Sequence, residues 1–157
     1  MENPKELCGS FRIEAAKPED ETIFRLAELE KECFSCPWSE ESFKKAASDE
    51  LFFLPILYDG GTPIGYAVLF SLFETAEIQN IAVKQDYRGR GFGKMLLERC
   101  VRQAKEQGAE QLFLEVRESN RPALSLYEKA GFSTVGRRRN YYREPLEDAL
   151  VMCKNLV

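Results

Sequence analysis

A mixed, mostly antiparallel sheet of about seven strands flanked by about four helices, in the α/β (α+β) class, is the fold this sequence predicts. Three observations lead there. Short β-rich apolar runs alternate with longer segments whose apolar residues recur at helical spacing. Glycines stand at the joints, at Gly60-Gly61, Gly108 and Gly131. The pieces fall in the order β-α-α-β-β-β-α-β-α-β-β, which demands a sheet with helices packed on its faces. With 157 residues, 44% of them apolar, the chain has the size and core of one domain. No repeat or linker divides it, so residues 1–157 are expected to form a single unit, with about residues 1–9 loosely ordered.

Phe11 and Ile13 alternate with polar neighbours, as a first strand would. Pro18, Glu19 and Asp20 are helix-start residues, and Ile23, Leu26, Ala27, Leu29, Glu30, Cys33 and Phe34 form a mostly apolar stripe ending near Phe34. Ser39, with Glu40 and Glu41 behind it, reads as the cap of a second helix running to about Ser48. The runs LFFLPILYD and IGYAVLFSLF, joined through Gly60-Gly61-Thr62-Pro63, signal a hairpin, and TAEIQNIAVKQ adds a third antiparallel strand. Met95, Leu96, Cys100, Val101 and Ala104 mark one face of a long helix that Gly108 ends. EQLFLEV is then a strand, RPALSLYEKAG a short helix closed by Gly131, and FSTVGRRRNYY and EDALVMCKNLV are two terminal strands.

Composition removes several chemistries. There is no histidine, which excludes Ser-His-Asp and Cys-His catalysis and every His-ligated metal site. Acid/base work falls to Glu, Asp, Tyr, Lys or Cys. Five cysteines, without a regular framework, fit a reducing compartment. No stretch approaches a membrane span, and MENPKELCGS has neither the basic start nor the apolar segment of a secretion signal. A cytoplasmic protein with no membrane partner is expected. The net charge of −4 gives no field to gather nucleic acid. The Arg137-Arg138-Arg139 run does not change this, because strand geometry spreads it over two faces. Cys33-Phe34-Ser35-Cys36 is a lone C-x-x-C without a second pair, and no metal is expected.

The segment QDYRGRGFGKMLLERC carries the chemistry. A Walker loop is ruled out by Arg88 and Met95, which stand where glycine and a hydroxyl are required, and the dinucleotide fingerprint fails at Lys94. What remains is a strand ending at Ile81-Ala82-Val83, a short turn, and Gly89, Gly91 and Gly93 leading into a helix. Missing Cβ atoms let the backbone close on a ligand, and free N–H groups at a helix start are anion donors. With Arg88, Arg90 and Lys94 nearby, the turn suits a diphosphate. Alternatively, it is a tight turn with solvated basic residues.

Here the sequence resembles the GNAT acyltransferase superfamily, whose pyrophosphate loop Arg/Gln-x-x-Gly-x-Gly/Ala is matched by Arg88-Gly89-Arg90-Gly91-Phe92-Gly93. The resemblance covers nearly the whole chain. CPWSEESF, NIAV, DYRGRGFG, LEVRESN, ALSLYEKAGF and RRNYY followed by EDALVM are similar to the bacterial ribosomal-protein-alanine N-acetyltransferases. It implies the GNAT fold, acetyl-CoA as acyl donor bound by Ile81, Ala82, Val83, Arg88, Gly89, Arg90, Gly91, Phe92, Gly93, Lys94 and Asn120, and the N-terminus of a small-subunit ribosomal protein as acceptor. It also implies Glu115 as general base and Tyr127 as general acid toward the CoA sulfur, with the Val83 N–H as oxyanion donor. Pro37-Trp38 and the segment from Asn140 to Glu147 would wall the acceptor cleft.

Read without the resemblance, Glu115 is an outward strand residue paired with Arg117 or a neighbouring strand. Tyr127, three residues from both Leu124 and Ala130, is equally an amphipathic core residue, and Asn120 is the cap of the short helix. The acceptor is favoured to be an α-amine: with reference pKa values of about 8 against about 10.4, deprotonating lysine costs roughly 3 kcal/mol more. Another peptide amine, a small-molecule amine, or a non-catalytic acyl-CoA-binding module are the alternatives.

Overall fold

The computed structural model describes residues 10–157; the loose start expected over residues 1–9 lies outside them. Strand β1 is Phe11–Ala15, followed by helices α1 (Thr22–Cys33) and α2 (Glu40–Ser48). Strands β2 (Phe52–Phe53), β3 (Pro55–Asp59), β4 (Thr62–Leu72) and β5 (Thr75–Val83) lead through a 3₁₀ turn to α3 (Phe92–Glu106). Then come β6 (Gln111–Arg117), α4 (Arg121–Lys129), β7 (Ser133–Arg143) and β8 (Leu146–Asn155). The sheet runs β1-β3-β4-β5-β6-β8-β7, with β2 against β4.

Local chemistry explains most boundaries. Ser39 Oγ accepts the Ser42 N–H at 3.1 Å and caps α2 as expected. Gly108 (φ +86°) and Gly131 (φ +95°) follow the ends of α3 and α4 in the left-handed conformation that glycine adopts freely. Two boundaries differ from the sequence expectation. Asp20 accepts the Lys17 N–H at 2.7 Å and closes a turn of its own, so α1 starts at Thr22. The run from Leu51 to Asp59 is two strands: Phe52 and Phe53 pair with Phe70 and Leu69, whereas residues from Pro55 onward pair with β1, and from Ile56 also with the other end of β4. That break brings the count to eight strands.

The sheet separates two cores. On β4, Tyr66 and Val68 face α1 and α2 with Ile23, Leu26, Phe43 and Ala82. Ala67 and Leu69 face the other way, with Leu97 and Cys100 of α3 and Leu124 and Tyr127 of α4. This is the alternation of a strand buried on both faces. The only parallel pair among the described strands is β5 with β6, from Thr75↔Gln111 to Ile78↔Leu114. Beyond Ile78 the ladder stops. There β5 bulges, because Leu69 pairs with Ile78 and Val68 with Asn80, leaving Gln79 between them. The strands splay apart in mid-sheet.

Candidate active site

The splay opens backbone groups that a closed sheet would consume. The Lys84 N–H bonds the Ile64 carbonyl at 2.7 Å, which makes Ile64/Lys84 a hydrogen-bonded pair and Gly65/Val83 and Ala67/Ile81 the alternate kind. The N–H groups of Ile81 and Val83 therefore point away from β4, to the side β6 has left. Ala82 between them turns its own backbone groups to β4 and its side chain into the core.

The glycine turn follows. Gly89 (φ +76°) and Gly91 (φ +86°) are left-handed, and a Cβ at either would meet nothing within 4 Å. No N–H from Gly89 to Lys94 has an acceptor among the described residues. Phe92 anchors the head of α3 in an apolar cluster with Leu57, Ile64 and Leu96, while Gly93 lies against Leu126. The cations are less available than the sequence suggests. Arg88 donates from Nε to the Val83 carbonyl at 2.9 Å and from a terminal nitrogen to Cys33 Sγ at 3.4 Å. Arg90 stacks 5.3 Å from the Tyr87 and Phe92 ring centres, and Lys94 lies 3.8 Å from Glu98. The anion-binding capacity of the turn rests chiefly on its N–H groups and the open space beside its glycines. Those features fit a diphosphate.

Glu115 is the first residue of β6 beyond the last β5 pair, and only 15% of its side chain is exposed. Its ionic partner is not Arg117, which instead clamps the β7–β8 turn through Glu147 at 3.2 Å and the Pro145 carbonyl at 2.9 Å. Arg138 of β7 reaches Glu115, Nε to Oε1 at 2.6 Å, and the same carboxylate lies near enough to Tyr141 that it, ahead of burial, raises the phenol above its ordinary pKa. Glu77 on β5 stands close enough that burial, and then repulsion from Glu115, raise its pKa against the opposing pull of Arg138.

Tyr127 is buried, its ring packed against Phe132 at 5.9 Å. Burial, helped by Tyr142, holds its phenol well above the usual range. Tyr142 is itself raised to about 12, first by burial and then by Glu115, and Arg117 stacks 4.3 Å from its ring centre. Tyr142 thus feels Glu115 and in turn helps to raise Tyr127. Asn120 caps α4, accepting the Ala123 N–H at 3.3 Å. Sequence reasoning brought Glu115, Tyr127 and the glycine turn into view. It missed Glu77 and the pairing of Arg138 with Glu115, and it placed Tyr141 and Tyr142 only within a cleft-wall segment. The signal for these was the RRRNYY run, which becomes legible only once a bulge in β7 is known.

Among the described residues, no helix is long and apolar enough to cross a membrane. The chain matches the Acetyltransferase (GNAT) family over residues 23–132. It is 40% identical over 131 residues to the ribosomal protein bS18-alanine N-acetyltransferase of Haemophilus influenzae, covering 82% of this chain and 88% of that protein. Against the Escherichia coli K12 protein of the same name it is 35% identical over 126 residues, covering 79% and 84%. The crystal structure of the ribosomal-protein-S18-alanine N-acetyltransferase from Escherichia coli superposes with a TM-score of 0.83 at 32% identity, covering 93% of this chain and 94% of that one. Ard1 from Thermoplasma volcanium shares the fold, with a TM-score of 0.84 at 22% identity. Splayed sheet, glycine turn and sequence likeness agree, and the chain belongs to the GNAT family of acetyltransferases.

Proposed function

We propose that this protein transfers the acetyl group of acetyl-CoA to the N-terminal α-amine of alanine on ribosomal protein bS18. The activity named for its relatives supports the acceptor. The observation that carries the chemistry is the placement of Glu115, a mostly buried carboxylate at the mouth of the splay into which the Ile81 and Val83 N–H groups are directed. The N–H groups of Gly89 to Lys94 bind the diphosphate, and the Ile81–Val83 backbone guides the pantetheine arm.

Glu115 takes a proton from the acceptor ammonium, directly or through water, and the free amine attacks the thioester carbonyl carbon. The Val83 N–H stabilises the oxyanion. The C–S bond then breaks and Tyr127 gives its proton to the departing thiolate. The new amide nitrogen loses its second proton through water, restoring Tyr127, and Glu115 releases the first to solvent. Each turnover thus yields the acetylated N-terminus, CoA thiol and one proton. A phenol raised by burial suits this role, because it stays protonated until a thiolate forms beside it.

The test is direct. The protein is incubated with acetyl-CoA and an alanine-starting bS18 peptide, the same peptide N-blocked but bearing lysine, and a polyamine, and the acetyl group is located by mass spectrometry. Label on the α-amine alone is expected. Label only on the lysine peptide or the polyamine would overturn the acceptor assignment, and no label anywhere would favour an acyl-CoA-binding module.

A further inference from the structure

Glu115 is held by a strand that is not its neighbour. Its ladder partner is Val151 of β8, and β7 lies beyond β8. Arg138, paired with Ala149, reaches back across β8 to put Nε 2.6 Å from Oε1. Tyr141 stands near the same carboxylate, which raises its phenol. A regular strand could not deliver both, because residues three apart point to opposite faces. The ladder explains how this strand does. Its flanking pairs are Arg138↔Ala149 and Tyr142↔Glu147, so residues 139 to 141 oppose Asp148 alone. Asn140 takes φ +53°. Asp148 pins the bulge, accepting the Asn140 N–H at 2.9 Å on one oxygen and Arg137 at 2.9 Å on the other. Bulges of this kind re-aim side chains beside active sites.

Arg138 has no other hydrogen bond or ion pair among the described residues, and 59% of its side chain is exposed. The guanidinium end of the pair lies largely in solvent, which limits what it adds to stability, so its consequence lies in where it leaves the carboxylate. Glu77 stands on the other side and repels Glu115. Among the described residues Arg138 is the only ion-pair partner of Glu115, and without it the flexible glutamate side chain loses the contact that holds it against that repulsion.

We propose that Arg138 is a positioning residue for acetyl transfer, its guanidinium holding the Glu115 carboxylate in the splay where the acceptor amine arrives. This rests on Glu115 being the general base. Because Arg138 acts through Glu115, its effect should vanish when Glu115 can no longer take a proton. The experiment is a double-mutant cycle of Arg138→Gln and Glu115→Gln, with Arg138→Lys as the conservative variant, measuring kcat and KM for the alanine-starting peptide and acetyl-CoA affinity by calorimetry. Arg138→Gln should lower kcat by a factor between about 2 and about 150, the span of coupling between contacting residues, with both affinities nearly unchanged. Arg138→Lys should recover part of the loss, and Arg138→Gln should cost nothing further when added to Glu115→Gln. An unchanged kcat in Arg138→Gln, or an equal loss in both backgrounds, would overturn the positioning role while leaving the base in place. Wild-type turnover in Glu115→Gln alone would remove the base, and the positioning role with it.

Discussion

Glu30 shows how one side chain joins elements distant in sequence. It lies in the apolar stripe of α1, 1% exposed. Oε1 accepts the Trp38 N–H at 3.2 Å and the Asn80 amide at 2.8 Å, while the buried Oε2 has no partner among the described residues. Burial lifts its pKa from 4.5 to about 7. The folded value exceeds the unfolded one, so the native state holds the proton more tightly. The associated stability is complete below about 4.5 and is lost as pH rises through about 7. Glu30→Gln, which cannot ionise, should gain on wild type between pH 5 and 8.5 by up to about 3 kcal/mol, read from urea melts at each pH. A gap independent of pH would show that the carboxyl is not the titrating group. Two more residues invite single tests. Gly91→Val forces a branched side chain to φ +86° and into the open space beside the turn, and should abolish measurable acetyl-CoA binding by calorimetry. Tyr127→Phe keeps the ring that packs on Phe132 and should lose most turnover with acetyl-CoA affinity intact; full turnover would return Tyr127 to a purely structural role.

At the scale of elements, the β7 bulge makes a prediction of its own. Removing its pin with Asp148→Ala frees the Asn140 N–H and leaves Arg137 held by Glu118 alone. It should lower kcat with the peptide several-fold, within the range that coupled contacts span, without altering acetyl-CoA affinity. Wild-type kcat in a folded variant would show that the bulge holds its shape unaided. This element also marks the limit of what the sequence reveals. The Ser39 cap, the Gly60-Gly61 hairpin and the glycines ending α3 and α4 were readable, because each obeys a rule spanning a few residues. The glycine turn was readable for the same reason. The break at Leu54 was not, since it depends on two different stretches of β4 claiming the two halves of one apolar run. Nor was the Arg138–Glu115 pair, which depends on the register of three strands and a three-against-one bulge. Alternation correctly separated Arg137 from Arg138, but it could not say which carboxylate each would meet.

The whole molecule is a sheet whose halves, β1 to β5 and β6 to β8, share four parallel residue pairs and then part. One apolar cluster still bridges them, with Ala76 and Ile78 against Leu112 and Leu114, so the splay is a gap in the backbone ladder and not in the core. A ligand lying in it would touch β5 and the head of α3 on one side and β6 and α4 on the other, and would stabilise the folded chain as a unit. Acetyl-CoA at a hundred times its dissociation constant should add about 2.7 kcal/mol. For a chain of this size that raises Tm by about 5 to 10 °C. The pattern among variants then separates binding from chemistry. Gly91→Val should melt with no shift. Glu115→Gln should keep the full shift while turnover falls about 100- to 10,000-fold, the usual worth of general-base assistance. A shift without turnover in the wild type would identify a binding module, whereas loss of the shift in Glu115→Gln would make that carboxylate a contact of the cofactor and return the question of the base to Glu77.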